Sequence, residues 1–531
     1  SLNQVKIFLP ASPILKKTWR GKKNQAYGGT AMGNRVGYAH LIDALNLKAI
    51  ELKRPAIIQP VTRLENIRGA LSVPQSVAPA EDDYLAHIMF ALKHEGVNLA
   101  ILAQALPHID GQILVEAITK APSSAYLRKI CFLWEFFTGQ HLDYPDNPRG
   151  TATFLFAPDN YITGPSVRNS RWRVDFNGLG TLRYCATVER TTEIQTLLDY
   201  DILGRSRAFI GALPKEMMDR AINWAYLSET ENSFAIEKEA PSEQKAQRFV
   251  QLLRQAHERQ PLTEDYLVAL QNSAISNPFD RAAAFRHEQN HLSNSFRGAA
   301  GVTYVPPAPG LCRELMEELM TFANRAPEQL DPLVAAGIAS FGFVFLHPFM
   351  DGNGRLSRFL IHLALCRSGA LENGLLLPVS VAMKREEQHY LEALQSFSKP
   401  VREFWDVRWI DAETMSFNFI GDASIYRYWD ATDCVAFTME MAKRALEVEL
   451  REGTDFLQRF DTLVKVVNEN YDVRGNLLSR LVMQCLDQNG IVSKGRRKQY
   501  QGSIQEEVFD FLEQQAQSLL ADAYGEPHED V

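Results

Sequence analysis

Residues 331–369 read DPLVAAGIASFGFVFLHPFMDGNGRLSRFLIHLALCRSG, and this stretch decides the fold. Asp331 followed by Pro332 is a helix start: an N-cap acceptor, then a proline at the first helical position, where its missing N–H leaves no bond unmade. The segment that follows, LVAAGIASFGFVFL, is apolar nearly all round and predicts a helix buried on every side. After HPFMDGNG a second helix begins, with Leu356, Phe359, Leu360, Leu363 and Ala364 marking one face and Gly369 its stop. The pattern predicts a polar, glycine-rich loop aimed out of a buried helix pair.

The side chains of that loop form a chemical set. Gly352 and Gly354 flank Asn353 at a helix N-terminus, where backbone N–H groups can approach an anion closely and the helix dipole favours phosphate. Arg355 and Arg358, three apart, share a face and offer planar, permanently charged forks to further phosphate oxygens. Asp351 beside this cradle suits the Mg²⁺ that travels with a polyphosphate. His347, with an ordinary pKa of about 6.5, suits activation of an attacking hydroxyl near neutral pH. A histidine or a GxG on its own is usually structural, but the ten-residue combination supplies the parts for nucleotide-phosphate transfer. The commoner phosphate loops do not fit: the chain has no GxxxxGK[ST], and GNGRLS departs from GxGxxG at Ser357 and follows a helix rather than a strand.

HPFMDGNGRLSR, residues 347–358, resembles the Fic family signature HPFx[DE]GNGRxxR at every specified position. Upstream, FRHEQNHLSNSFRGAAGVTYVPPAP is similar to the family's flap, a hairpin ending in a Tyr-Val-Pro-Pro element, here Tyr304 and Val305, that aligns the backbone of a target protein. Downstream, Tyr390 in HYLEAL resembles an aromatic that helps close the adenine pocket. The similarity covers about residues 225–400. It implies a mainly α chain: a Fic-type helical core with a short β-hairpin flap. It also implies a nucleotidyltransferase, a protein adenylyltransferase (AMPylase) that takes ATP as co-substrate with Mg²⁺ and moves AMP to a Ser, Thr or Tyr hydroxyl of a target protein. On this resemblance His347 deprotonates the acceptor and Asp351 binds the Mg²⁺ between the α- and β-phosphates. Gly352, Asn353 and Gly354 stabilise the α-phosphate, and Arg355 and Arg358 hold the β- and γ-phosphates. Gly354 points to AMP transfer over phosphate transfer, because relatives that phosphorylate typically carry Lys there.

Ser233 to Glu237 in ENSFAIEKE resembles the family's inhibitory motif, [ST]xxxE[GN]. The resemblance implies a helix that delivers Glu237 to Arg358, into the place the γ-phosphate needs. Lys238 stands where Gly or Asn is usual, which predicts a different helix end and weaker inhibition. Some family members use the same glutamate to position a water that removes AMP, so a two-way enzyme stays open here. So does the choice between inhibition within one chain and inhibition across a homodimer.

Two competing readings rest on other motifs. His287-Glu288-Gln289-Asn290-His291 is a literal HExxH, the pattern of a zinc peptidase, although Gln289 and Asn290 are polar and no GxxH continuation supplies a third ligand. Near the C-terminus, LLSRLVMQCLDQNGIVSKGRRKQYQGSIQEEVFDFLEQ has the order of a winged helix-turn-helix: a helix, a turn at Asn489 and Gly490, a β-prone IVS, a basic tip and a further helix. Lys494, Arg496, Arg497 and Lys498 there keep open a contact with DNA, and with it a DNA-binding regulator whose Fic-like core is vestigial.

Length and composition frame these readings. The 531 residues predict roughly three packed units: an accessory region at 1–190 with a helical unit at about 84–139, a catalytic domain at 191–400, and a C-terminal helical, winged-helix-like domain at 401–531. Residues 1–80 have broken periodicity, and 140–190, rich in Pro, Asn, Gly and Arg, read as a long connection or a site-shaping loop. A net charge of −8 exerts no global pull toward nucleic acid or anionic lipid. No apolar run reaches the roughly 18 residues of a membrane helix, and the opening SLNQVKIFLPASPILKK lacks a signal peptide's long apolar region. Six widely spaced cysteines with no CxxC pair suit a reducing compartment, and a cytoplasmic location with no membrane partner is expected.

Overall fold

The computed structural model describes residues 35–523 apart from 146–148, 259, 276–280, 295, 297, 372–373 and 411–413. The opening stretch and much of the irregular N-terminal segment lie outside the described residues.

The Pro332–Leu346 helix forms as its sequence demands. Asp331 Oδ1 accepts hydrogen bonds from the N–H groups of Leu333 and Val334, at 2.9 and 3.3 Å, and every residue from Leu333 to Leu346 is buried. Its closest partner is the Asn353–Arg367 helix, with the Pro309–Gln329 and Thr432–Arg444 helices packed alongside. The second helix differs from its one-sided apolar pattern. Arg355, Arg358 and His362, on the polar side, are at most 2% exposed, because another helix, Lys215–Ile236, covers that side.

A single apolar core runs from Leu179 to Leu450. In a stretch read from sequence as mainly helical, the strands Trp405–Trp409 and Met415–Phe419 pair antiparallel, and they are rich in the aromatic residues that suit a pleated surface. A second core joins the helices Tyr84–His94, Leu99–Ala105, Gly111–Lys120 and Ala125–Thr138 to Leu155, Trp172 and Val174 from the 140–190 stretch, which carries short strands. A parallel pairing of Cys185–Thr187 with Tyr428–Asp430 connects that stretch to the main body.

The C-terminal residues build a third core from the helices Arg451–Asn470, Gly475–Asp487, Lys494–Tyr500 and Glu506–Ala523. The expected wing is replaced: no strand occurs among the described residues of 451–523, and the basic tip lies on a helix. Val492 plugs the core, so IVS is an anchor rather than a strand. Arg497 turns back onto Glu506, Asp510 and Glu513, at 2.7 Å each, and this spends one of the four charges read as phosphate contacts. The Arg451–Asn470 helix also braces the Lys215–Ile236 helix, with the Trp224 ring lying against Gly453 and Arg220 paired with Asp461.

The glycines of the central helix, Gly337 and Gly342, lie close against neighbouring elements. A Cβ on Gly342 would lie 2.7 Å from the Tyr184 hydroxyl, and that ring is locked in place by the Trp429 indole N–H, which donates to the same oxygen. Gly342→Ala is therefore expected to lower stability. Overpacking costs about 1–3 kcal/mol, which exceeds the gain of about 1 kcal/mol from alanine's helix propensity. A lower thermal midpoint for the variant is the check.

Candidate active site

The chain leaves the buried helix at His347, which adopts the left-handed conformation at φ +51°. A helix that ends in the interior must find donors for its last carbonyls. Here each one is met. The His347 N–H donates to Phe343 O and its Nδ1 to Val344 O, the Tyr304 hydroxyl donates to Phe345 O at 2.6 Å, and the Cys312 thiol donates to Leu346 O. Arg286 donates from Nε to His347 O at 2.9 Å and from its backbone N–H to Pro348 O at 2.8 Å. Asn290 and Asn353 both donate to Phe349 O, and Asn353 Oδ1 accepts from the Phe349 N–H.

This framework sets the state of His347. Val344 O can only accept, so the proton sits on Nδ1, and Nε2 presents a lone pair that is buried and has no partner among the described residues. Burial pushes the imidazole down to about 4. The bond to Val344 opposes that shift, and the nearby Arg286 charge adds to it. The ring is thus a neutral base well below the pH at which a solvated histidine is half protonated.

Gly352 sits at φ +87° as the N-cap of the Asn353–Arg367 helix, a backbone shape that suits glycine. Its N–H donates to Asp351 Oδ1, whose carboxylate is about one-third exposed and lies 3.5 Å from Arg355. The side chain of Asn353 holds the loop's shape, with both of its amide atoms bonded to Phe349. Gly354 faces Glu237, and a Cβ there would stand 2.4 Å from Glu237 Oε1.

Glu237 bridges both arginines. Its Oε1 accepts from Arg358 Nη2 at 2.9 Å, and its Oε2 lies 2.9 Å from Arg355 Nε, out of line for a hydrogen bond. Ser233 supplies Arg358 with two further acceptors, its hydroxyl and its carbonyl. A residue missed in the sequence, Glu239, adds a second carboxylate 3.3 Å from Arg355. Burial raises the Glu239 carboxyl in spite of that arginine. Burial also works against the charge on Arg355, but Glu237, Asp351 and Glu239 more than offset it and hold the guanidinium more firmly charged than usual.

A cavity of about 300 Å³ opens beside these groups, lined by Glu237, Gly354, Arg358, Tyr390, Thr303 and Lys399 among others. Tyr390 stacks on Phe437 at 5.6 Å and forms one apolar wall. Another cavity, of about 280 Å³ between Lys53, Glu95 and Asp430, contains none of the loop residues.

The flap is present as a short antiparallel pair, Leu292–Ser293 with Val302–Tyr304. The side chains of the two residues expected at the target-docking end are buried: Tyr304 is 2% exposed and caps the central helix, and Val305 packs against Val302 and Trp405. The HExxH stretch is not helical, so its histidines share no helical face. The His287 side chain is 90% exposed, whereas His291 rests on Phe417. Among the described residues no group of three His, Cys, Asp or Glu could hold a metal by itself. Gln289 and Asn290 serve instead as clamps on Pro306 and Phe349.

Comparison with known proteins places this geometry. The Fic/DOC family model matches residues 261–365. Protein adenylyltransferase Fic of Drosophila grimshawi is 35% identical over 88 residues, 16% of this chain and 17% of that protein. Protein adenylyltransferase fic-1 of Caenorhabditis elegans is 29% identical over 126 residues, 24% of this chain and 22% of that protein. The chain thus spans about a fifth of the length of these curated relatives. Among solved structures, a Fic family protein from Desulfovibrio desulfuricans G20 aligns at TM-score 0.34 and 21% identity, covering 60% of this chain and 87% of that one. C. elegans Fic-1 (residues 134–508) aligns at TM-score 0.32 and 15% identity, covering 70% and 98%. The loop and nearly all of the helix pair that holds it fall inside residues 261–365, the stretch that matches the Fic/DOC family model.

Proposed function

We propose that the chain is a protein adenylyltransferase that moves AMP from ATP to a Ser, Thr or Tyr hydroxyl of a target protein and is held in check by Glu237. The observation that carries the reading is the unpartnered, neutral Nε2 of His347 at one end of a loop whose other end is a phosphate cradle. In the reaction the acceptor O–H gives its proton to Nε2 and its oxygen bonds to the α-phosphorus. The bond from that phosphorus to the α,β-bridging oxygen breaks, and pyrophosphate leaves with the electron pair. The chain's part is positioning and preorganised charge. First-turn amides at Asn353 and Gly354 meet the α-phosphate, Arg355 and Arg358 hold the leaving phosphates, and the cavity beside Tyr390 takes the base. The partly exposed carboxylate of Asp351 would hold a Mg²⁺, which when bound would supply neutralisation of phosphate charge.

Glu237 occupies Arg358 with the bond a γ-phosphate would make, so ATP and the Lys215–Ile236 helix end compete. That end is a Schellman motif: Lys238 N–H donates to Ala235 O and Glu239 N–H to Phe234 O, with Lys238 at φ +59°. The left-handed position explains why Gly or Asn is usual there. Lysine pays roughly 1–2 kcal/mol of strain, part of which is returned because glycine loses more freedom on folding.

With α-labelled ATP and Mg²⁺, His347→Ala is expected to abolish protein labelling. Glu237→Gly is expected to raise it tenfold or more, since charged hydrogen bonds of about 1.5–3 kcal/mol are lost; equal labelling in all three proteins would refute the assignment. Lys238→Gly should firm the helix end and lower basal labelling about twofold, corresponding to a net gain of roughly 0.5 kcal/mol. The pH profile follows from the lowered His347 value: the neutral base is depleted only as pH falls toward about 4. The kcat/KM of the Glu237→Gly form should therefore stay nearly flat from pH 8 to pH 6, and an acid limb centred near 6.5 would count against a buried base.

A further inference from the structure

The face that Lys215–Ile236 turns to Asn353–Arg367 carries three polar rungs, not two. Glu229, Ser233 and Glu237 recur every fourth residue and so stack on one side of their helix. They meet His362, Arg358 and Arg355, which line one side of the opposing helix. The third rung is the most deeply buried. The Glu229 and His362 side chains are each 1% exposed, and His362 Nε2 donates to Glu229 Oε1 at 2.7 Å. The carboxylate is completed from a third element: the Ser380 N–H donates to Oε2 at 2.7 Å and the Ser380 hydroxyl donates to Oε1. By contrast the Glu237 side chain is 12% exposed and stands at the rim of the cavity.

This arrangement gives the rungs different duties. A buried carboxylate that gathers donors from two other helices is costly to displace, because leaving would strand those donors without acceptors. It also cannot slide: moving the helix along its axis would separate Glu229 from both Ser380 and His362. Glu237, at the rim, can be displaced by a competing phosphate while the third rung stays intact. Resting on the adenylyltransferase reading above, we propose that Glu229 is a positioning residue that fixes the register of the inhibitory helix, through His362 and Ser380, so that Glu237 reaches Arg355 and Arg358. The helix then yields at its last turn and stays docked at its middle.

The test uses the full chain with Glu229→Gln, whose amide cannot accept from every donor, and the milder Ser380→Ala, which decides the matter if the first fails to fold. Two readouts are taken: amide hydrogen exchange across residues 226–239 and His347-dependent labelling from α-labelled ATP. Exchange at 233–239 is expected to rise at least tenfold in Glu229→Gln and about threefold in Ser380→Ala, with 353–367 unchanged. Labelling is expected to rise in both, yet to change by less than twofold when Glu229→Gln is added to Glu237→Gly, because a helix without Glu237 has nothing left to aim. Unchanged exchange at 233–239 in folded variants would overturn the proposal. So would labelling that falls equally in both backgrounds, the result of damaged packing alone. Absence of label in Glu237→Gly itself would remove the adenylyltransferase reading, and the exchange measurement would still decide the role of Glu229.

Discussion

The structure turns on a helix that ends inside the protein. Pro332–Leu346 is buried along its whole length, so its terminal carbonyls have no water to bond, and every one needs a donor from the chain itself. His347 itself meets Phe343 and Val344, while the rest of the supply comes from far away in sequence: Tyr304 and Cys312 meet Phe345 and Leu346, and Arg286 and Asn290 hold the loop carbonyls that follow. Those bonds fix the direction in which the chain emerges, and that direction puts His347 in a left-handed turn with one nitrogen committed and the other open. Tyr304, read in sequence as a target-docking group, and Asn290, inside the HExxH stretch, both serve this framework.

The second constraint is charge. Arg355 and Arg358 are almost wholly buried, and a buried guanidinium without an anionic partner is strongly unfavourable. The same pair that would cradle polyphosphate therefore demands a counter-ion when none is bound. Glu237 and Glu239 supply it from within the chain, with Ser233 completing the forks. On the proposed function, Glu237 and a polyphosphate are two answers to one electrostatic problem, since Glu237 Oε1 already fills the space between Gly354 and Arg358.

Much of the site was legible because it is local. A helix start, a fully apolar helix, two glycines around Asn353 and two arginines at helical spacing are all written within 40 residues, where backbone chemistry alone dictates the outcome. Ser233 and Glu237, singled out in the sequence, both lie on Arg358. What the sequence left open was orientation: Tyr304 and Val305 are buried, the Asn353 amide is bonded to the loop, and the HExxH stretch is not a helix. In the C-terminal unit Val492 is needed as a core anchor, so a β-prone tripeptide forms no strand and the basic tip becomes helical with Arg497 folded onto three carboxylates.

The sequence by itself determined the loop, its chemistry and the helix pair that carries it, since these follow from propensity, capping and spacing over short range. Only the tertiary structure decided the state of each group. His347 is neutral because of burial, and its open nitrogen is set by the bond from Nδ1 to Val344. The arginines are paired because a helix more than a hundred residues upstream is docked on them. The same docked face carries the contact of Glu229 with His362 and Ser380, three residues with no shared motif, each ordinary in its own segment. Burial and long-range hydrogen bonding are properties of where the chain closes on itself, and no local pattern encodes them.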